Sequence, residues 1–193
     1  MRAQVFMVID LDRCWGCKAC EVACKQELGL GAGPRPMKVV EIGPRILDGV
    51  LHRDFVPTLC QHCDQAECQA ACPVHCIYRE ADGSIQIERD ACTGCGSCVT
   101  ACPFGVMETG GEGGVPLKCT LCHERRKSNA LPSCAQHCIG RAMTLVAEDR
   151  LPGLFQERYS WKAGRIIYVT RKWAQLGAAF QTSATEEKKN RRG

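Results

Sequence analysis

The sequence is poor in the features that most enzymes and membrane proteins need. Three Trp, three Tyr and five Phe among 193 residues are too few for an extensive aromatic core. No stretch approaches the run of about 18 apolar residues that a membrane-spanning helix requires. Phosphate-binding loops, a G-x-G-x-x-G dinucleotide fingerprint and a paired nucleophile and base are also missing. These absences predict a non-catalytic protein without direct membrane insertion.

The N-terminus lacks the marks of a secreted protein. A short apolar run ends at Asp10 and Asp12, and neither a small-residue cleavage site nor a twin-arginine signal comes before the first cysteine. We therefore expect a cytoplasmic protein. Thiols stay reduced there, and patterned cysteines bind metals more often than they form disulfides.

Cysteine is abundant: the chain has 17, and 16 of them fall into four groups of four. The first and third groups have the C-x2-C-x2-C-x3-C spacing of bacterial ferredoxins, and the third also has the following proline. The second group lengthens one gap to four residues, and the fourth lengthens the same gap to eleven. This regularity predicts four equivalent metal centres.

The spacing favours [4Fe–4S] clusters over zinc or disulfides. Structural zinc uses pairs of C-x2-C, so a third cysteine after two more residues has no role there. A cubane offers four iron corners, and C-x2-C-x2-C reaches three of them within one turn of backbone. The fourth cysteine, three residues further on, points away from that cluster.

The ligands of one motif are predicted to be shared with another. In two-cluster ferredoxins the fourth cysteine binds the other cluster, so motifs come in pairs. The second and third groups both end in Cys-Pro, whereas the first and fourth lack this proline, which pairs two with three and one with four. The predicted ligand sets are site 1, Cys14, Cys17, Cys20 and Cys138; site 2, Cys60, Cys63, Cys68 and Cys102; site 3, Cys92, Cys95, Cys98 and Cys72; and site 4, Cys119, Cys122, Cys134 and Cys24.

This pairing predicts an α+β fold of two bacterial-type 2[4Fe–4S] ferredoxin modules, the second nested inside the first. Residues 1–30 and 116–146 would form the outer module, with sites 1 and 4. Residues 52–110 would form the inner module, with sites 2 and 3. Residues 31–51 are rich in Gly and Pro and are predicted to be a connecting loop. Residues 147–193 are predicted to be a C-terminal docking segment with a charged tail.

Short hairpins and helices are expected around the clusters. Apolar and polar residues alternate over 8–12 and 85–90, as in half-buried strands, and Asp82-Gly83 predicts a hairpin turn before the second of them. Residues 165–170 have the composition of one more strand, and the glycine-rich residues 109–116 that of a loop.

The seventeenth cysteine, Cys76, competes with Cys72 for the ligand role because Cys72-x3-Cys76 also has the right gap. Leu28, Val106 and Ala142 occupy the same position after the other motifs, and all are apolar. The repeat therefore favours Cys72 as the ligand and Cys76 as a small buried residue.

Basic residues and histidines near the motifs have two interpretations each. The histidines are expected to hydrogen-bond sulfurs or face solvent rather than bind iron, since no motif lacks a cysteine. They are His62, His75, His123 and His137. The basic residues either offset cluster charge or form a solvated surface. They are Lys25, Arg125, Arg126 and Lys127.

The formal charge of +4 treats the cysteines as neutral. Each oxidised cluster with its four thiolates carries about −2, so four of them would bring the chain to about −4. The basic composition is therefore weak evidence for nucleic acid, and no nucleic-acid partner is predicted.

Four ferredoxin motifs with an expanded fourth one resemble the iron–sulfur subunits of the dimethyl-sulfoxide reductase superfamily. Similar subunits belong to other molybdenum and tungsten oxidoreductases, including the polyferredoxin subunit of tungsten aldehyde oxidoreductases. The similarity covers about residues 5–146 and includes Lys25 after the first motif. It departs at Ile139, where the family usually has proline, but no ligand changes.

The resemblance implies an electron-transfer subunit that relays single electrons through four [4Fe–4S] clusters. It implies a catalytic partner of the molybdenum or tungsten pterin type, and in some relatives a flavoprotein or membrane-anchor subunit. A free polyferredoxin serving several enzymes and a maturation factor are the alternatives. Residues beyond 146, with Trp161 and Trp173, favour a subunit, although they could instead cover the outer module.

Overall fold

A continuous apolar run near the N-terminus forms an inner strand of the main sheet, buried on both faces. The computed structural model describes residues 4–47 and 49–172. In it, β1 (Val5–Asp10) pairs antiparallel with β6 (Met143–Ala147) and parallel with β8 (Ile166–Thr170). β7 (Tyr159–Ala163) pairs antiparallel with β8, so the strand order is β6-β1-β8-β7. Segments from both ends of the described chain thus share one sheet.

Two hairpins lie outside this sheet. The longer one joins β2 (Met37–Leu47) to β3 (Val50–Leu59), and the shorter one joins β4 (Ile77–Arg79) to β5 (Ile85–Ile87). The shorter hairpin turns at Asp82-Gly83 as predicted, because Gly83 adopts the left-handed φ of 86° that this turn needs. The prediction of strands before the first and third motifs and at 165–170 is also confirmed.

The prediction of a connecting loop over residues 31–51 is wrong for residues 37–47, which form β2. Gly43 and Pro44 interrupt the apolar pattern there and predicted a loop. In the structure the register of β2 against β3 shifts between Ile42 and Arg45. Gly43 and Pro44 therefore form a bulge, and β2 continues beyond it.

Short helices accompany the cysteine motifs. They are α1 (Ala19–Glu27), α2 (Glu67–Ala70), α3 (Ser97–Ala101), α4 (His123–Lys127) and α5 (Ser133–Gln136). Three single 3-10 turns cover Leu11–Arg13, Glu112–Gly114 and Glu148–Arg150. Among the final cysteines of the motifs, Cys24 lies within its helix, while Cys72, Cys102 and Cys138 lie just beyond theirs.

The C-terminal strands are part of the core. Tyr168 is fully buried, its hydroxyl donates to the Pro57 carbonyl at 2.9 Å, and the Trp161 ring packs on it with centroids 5.5 Å apart. The Arg158 guanidinium bonds both carboxylate oxygens of Asp10 at 2.6 and 2.9 Å. Residues 159–170 therefore belong to the main sheet, and a docking role for residues 147–193 stays a prediction.

Two predicted features lie outside the described residues, namely Trp173 and the charged tail over 186–193. In the part of the chain that the structure describes, none of the helices combines the length and the apolarity needed to cross a bilayer. The mixture of small sheets and short helices is compatible with a ferredoxin-type fold.

Candidate iron–sulfur cluster sites

The thiols of site 1 lie in the loop before α1, in its first turn and just after α5. Burial, together with the charges of Cys14 and Cys138, raises the pKa of Cys20 to about 12. Burial also raises the pKa of Cys14, with Cys138 and Cys17 adding to the effect. Cys138 accepts a hydrogen bond from the Ala142 backbone N–H at 3.2 Å. Thus the last cysteine of the fourth motif lies beside three cysteines of the first.

Site 4 mirrors this arrangement with the last cysteine of the first motif. Burial and the charge of Cys122 raise the pKa of Cys24 to about 12. Burial, followed by Cys24 and Cys134, raises the pKa of Cys119 well above its ordinary value. Backbone N–H groups donate to the sulfurs of Cys119 and Cys122, from Leu121 at 3.3 Å and from Ser133 at 3.4 Å. All four thiols line one apolar cavity together with Met7 and Met37.

Site 2 combines three cysteines of the second motif with the last cysteine of the third. Burial, together with the charges of Cys60 and Cys102, raises the pKa of Cys63 to about 12. Burial and Cys60 raise the pKa of Cys68 to about 11, with Lys118 acting in the opposite direction. Cys60 and Cys102 are both buried.

Site 3 contains the last cysteine of the second motif. Burial raises the pKa of Cys98, and the charges of Cys72 and Cys92 contribute. One cavity is lined by all four thiols of this site and also by the seventeenth cysteine, Cys76. The repeat in the sequence favours Cys72 over Cys76 as the ligand, and the structure brings both to this cavity.

Cys76 and Cys72 form a sulfur–sulfur contact of 3.4 Å. Burial raises the pKa of Cys76, and its bonds to Cys72 and Cys92 bring that pKa to about 12. Burial also acts to raise the pKa of Cys72, but hydrogen bonds from Cys76 and nearby backbone N–H groups outweigh burial and lower it. Either sulfur can donate in this contact, and the opposite directions of the two pKa values make Cys76 the better donor and Cys72 the better acceptor.

The four sets of thiols that the structure brings together have the same members as the four predicted sites. In every case three cysteines of one motif meet the last cysteine of another. That each set binds a cluster stays a prediction. Within the described residues, no three His, Cys, Asp or Glu side chains converge tightly enough to hold a single metal ion.

Charge effects between thiols link neighbouring sites. The charge of Cys20 in site 1 raises the pKa of Cys134 in site 4, that of Cys60 in site 2 raises the pKa of Cys119 in site 4, and that of Cys98 in site 3 raises the pKa of Cys68 in site 2. These effects link site 1 to site 4, site 4 to site 2 and site 2 to site 3. Cys17 of site 1 and Cys95 of site 3 are exposed, and sites 4 and 2 come between these two sites.

The donor chemistry of these sites fits an iron–sulfur cluster. A thiol with a pKa of 11 or 12 carries its proton at neutral pH, and the thiolate is the form that binds metal. A strongly cationic group must therefore replace the protons before four such thiols can be charged together. Sulfurs that accept backbone N–H groups are also typical of clusters, whose potentials depend on such bonds.

His62 provides a second observation that fits a cluster. Its Nδ1 accepts the Ile85 backbone N–H at 2.8 Å, so a neutral ring carries its proton on Nε2. Burial, followed by the charges of Lys118 and Arg126, holds the pKa of His62 well below its usual value. Nε2 is buried and has no hydrogen-bond partner among the described residues. An acceptor such as a cluster sulfide would satisfy this donor.

The other predicted histidines have protein partners or face solvent. His123 contacts the carboxylates of Asp82 at 3.4 Å and Glu80 at 3.2 Å, and a ring nitrogen of His137 lies 2.9 Å from the Ser133 carbonyl. His75 is exposed. Their roles near sulfur stay predictions.

The basic residues after the fourth motif divide into two kinds. Arg125 and Arg126 act on the Cys122 thiol and lower its pKa against the larger effect of burial, so they face site 4. Lys127 pairs with Glu124 at 2.7 Å on the surface. Arg125 and Arg126 also pair with carboxylates, those of Glu27 at 3.1 Å and Asp82 at 2.6 Å. Lys127 thus belongs to a solvated surface, and compensation of cluster charge by the arginines stays a prediction.

Sequence reasoning missed Lys118, which is only 4% exposed. Its only signal was its position, since it directly precedes Cys119 and follows the apolar Leu117. Its charge acts on Cys60 and Cys68 of site 2.

Comparison with known proteins gives two family matches. Residues 51–148 match the 4Fe-4S dicluster domain, and residues 7–27 match the 4Fe-4S binding domain. Together these ranges contain all sixteen cysteines of the four motifs.

Several characterised proteins are similar to the chain. The thiosulfate reductase electron transfer subunit PhsB of Salmonella typhi is 37% identical over 137 residues, which cover 70% of this chain and 71% of that protein. A tetrathionate reductase subunit of Salmonella typhimurium is 34% identical over 146 residues, 73% of this chain but only 57% of that protein. The formate dehydrogenase iron-sulfur subunit of Wolinella succinogenes is 29% identical over 197 residues, covering 90% of this chain and 96% of that protein.

Proposed function

Because this chain belongs to the 4Fe-4S dicluster domain family, we propose that it is the electron-transfer subunit of a larger oxidoreductase and relays single electrons through four [4Fe–4S] clusters. The single observation that carries the proposal is the row of four sets of cysteines, each completed by a cysteine from a second motif. A bound cluster supplies reversible one-electron reduction. The protein holds the clusters in order, limits their contact with water and tunes their potentials.

Sites 1 to 4 are the proposed ligand sets, with the members given above. The mutual electrostatic effects of the thiols within each set support this assignment. Sharing of ligands between motifs also supports the nested arrangement, in which residues 52–110 form an inner ferredoxin module. Residues 1–30 and 116–146 would form the outer one.

The proposed relay runs through sites 1, 4, 2 and 3. Exposed Cys17 and Cys95 mark its two ends, where an electron can enter or leave with the shortest path through protein. Trp15 and Ile139 add exposed apolar surface at the site 1 end. The thiols of sites 4 and 2 are buried or half-buried, which keeps the middle of the relay away from competing acceptors in solution.

The catalytic partner is proposed to be a molybdenum or tungsten pterin subunit, and the chain itself to be non-catalytic. The names of its relatives, which include reductase and dehydrogenase subunits, support a place in such a complex. A flavoprotein or membrane-anchor subunit is the proposed second partner, and the cytoplasm the proposed location. A free polyferredoxin is the alternative.

Residues 147–172 are proposed to contribute to docking of a partner subunit through the apolar side chains that they expose to solvent. Leu154 and Tyr159 are about half exposed, although other aromatic residues of this segment pack within the fold. A second apolar surface at the tip of the longer hairpin, with Ile46 and Leu51, provides a matched comparison.

Copurification tests the proposed function. Tagged protein isolated anaerobically from its native host should elute in a complex with a larger subunit that contains molybdenum or tungsten. The double variant Leu154→Asp/Tyr159→Asp should keep its iron and lose the partner, whereas Ile46→Asp/Leu51→Asp should keep both. Loss only in the second variant would move the docking surface to the hairpin. Elution of the wild-type chain as an iron-loaded monomer would contradict the subunit role and favour a free polyferredoxin.

A further inference from the structure

Lys118 is a buried cation whose position is not explained by ordinary ion pairing. The residue is 4% exposed, and its ammonium donates to two backbone carbonyls, those of Ile85 and, at 3.0 Å, Cys119. Across the described residues, no ion pair joins Lys118 to a carboxylate. Carbonyl dipoles alone are weak compensation for a full charge removed from water.

Other charges nearby do not supply this compensation. The buried carboxylate of Asp82 already accepts from Ser84 and, at 2.6 Å, from Arg126. His62 is neutral, and Arg126 and Arg79 are further cations that act on it. The carboxylate of Asp82 therefore does not balance the charge of Lys118, because it already pairs with Arg126.

Site 2 lies next to this ammonium, because Ile85, whose carbonyl accepts from Lys118, donates its backbone N–H to His62, which stands between Cys60 and Cys63. Lys118 is the strongest charged influence on Cys60 after burial, and it also acts on Cys68. The lysine connects the two proposed modules, because Ile85 lies in β5 and Cys119 begins the fourth motif. Its two carbonyl bonds hold the ammonium in place rather than leaving it to follow solvent.

We propose that Lys118 is a built-in counter-cation for site 2, and that its fixed charge raises the reduction potential of the cluster held there. The inference rests on the proposed function. One-electron reduction makes a cluster and its thiolates more negative by one charge, from about −2 to about −3. A nearby fixed cation stabilises the reduced form more than the oxidised form, and poor screening in the interior strengthens the effect. Lys118 would act on electron transfer only through the potential of the cluster and would touch no substrate, so it is classed as a positioning residue and not as a catalytic one.

Redox titration of the holoprotein, followed by electron paramagnetic resonance, tests the inference. The neutral variant Lys118→Gln can still donate to a carbonyl, and Lys118→Arg keeps the charge. We expect Lys118→Gln to lower the midpoint potential of one cluster by about 59 mV, which corresponds to a tenfold change in the equilibrium constant of a one-electron reduction. Lys118→Arg should retain most of the wild-type potential. The surface variant Lys127→Gln is the control and should leave all couples unchanged.

A ligand variant identifies which couple belongs to site 2. Cys68→Ser should change the same couple that Lys118→Gln lowers, and a change in a different couple would overturn the assignment. Unchanged potentials in Lys118→Gln, or an equal shift in Lys118→Arg, would overturn the role of the charge. Loss of site 2 iron from Lys118→Gln but not from Lys118→Arg would support charge compensation, whereas equal loss from both Lys118 variants would show a merely structural role.

Iron analysis of the wild-type protein separates this inference from the proposed function. Wild-type protein without four clusters would refute the relay. Four clusters with potentials that do not respond to Lys118 would refute only the present inference.

Discussion

At the scale of single residues, the role proposed for each cysteine depends on its surroundings and not only on its spacing in the sequence. The four final cysteines of the motifs have similar sequence contexts, but Cys72 alone has a second thiol, Cys76, in contact with it. A thiol that donates to a thiolate stabilises the charged form of its neighbour. The two residues therefore have different proposed roles in spite of their equal spacing.

The first prediction concerns this pair. Cys76→Ala should keep the full iron content, because Cys76 is a buried donor and not a proposed ligand. Cys72→Ala should lose the site 3 cluster or convert it to a form with fewer irons. Anaerobic iron and sulfide analysis of both variants measures this, with Cys76→Ser as a control that keeps a donor. The reverse pattern of iron loss would assign the ligand to Cys76.

A second prediction concerns Asp82 in the turn of the shorter hairpin. Burial alone would raise its pKa, but hydrogen bonds from Ser84 and Arg126 outweigh burial and hold the pKa below its ordinary value. A carboxylate with a lowered folded-state pKa stabilises the fold above its unfolded pKa of about 4, and loses this effect as pH falls further. Its contribution is therefore complete throughout pH 6 to 8.

Asp82→Asn should thus lower the free energy of unfolding by about 1–3 kcal/mol, because Arg126 loses its partner in the interior. Denaturation of the holoprotein at pH 6 and at pH 8 should give the same loss. Exposed Asp90→Asn is the control and should have little effect. A loss that grows from pH 6 to pH 8 would contradict the role of the carboxylate.

At the scale of elements, the sequence predicts short-range structure well and long-range pairing poorly. The hairpin at Asp82-Gly83 follows from local turn chemistry, and it forms where expected. The parallel pairing of β8 with β1 joins residues about 160 positions apart, and nothing in the local pattern of either strand indicates the other. The bulge at Gly43 and Pro44 could not be predicted from the local sequence for a related reason. It depends on β3, which supplies the pairing partner that allows β2 to continue.

Truncation tests the structural role of β7 and β8. A chain ending at residue 172 should keep its iron content, because the main sheet is then complete. A chain ending at residue 158 should lose iron and stability, because removal of Tyr168 opens the core beside Cys119 and Met7. The milder variant Tyr168→Phe should cost about 1–2 kcal/mol through the lost bond to Pro57. Full iron retention by the shorter chain would show that these strands are dispensable for the clusters.

At the scale of the whole molecule, the proposed row of sites follows from the proposed exchange of final cysteines. Each exchange would join two motifs, and the charge of Cys60 that acts on Cys119 links the two pairs. From ligand spacing, which is a covalent constraint on the chain, the sequence predicts the members of each site, and these members stay predictions. It could not predict the order of the sites or the position of Lys118, since both depend on packing between the pairs.

The most direct test of the four-cluster relay is the amount of iron and acid-labile sulfide in anaerobically purified protein. Four clusters of four irons predict about sixteen of each per chain. Serine variants of Cys17 and Cys95 should each alter one cluster and leave the other three. About eight irons per chain, or zinc in stoichiometric amounts, would contradict the account.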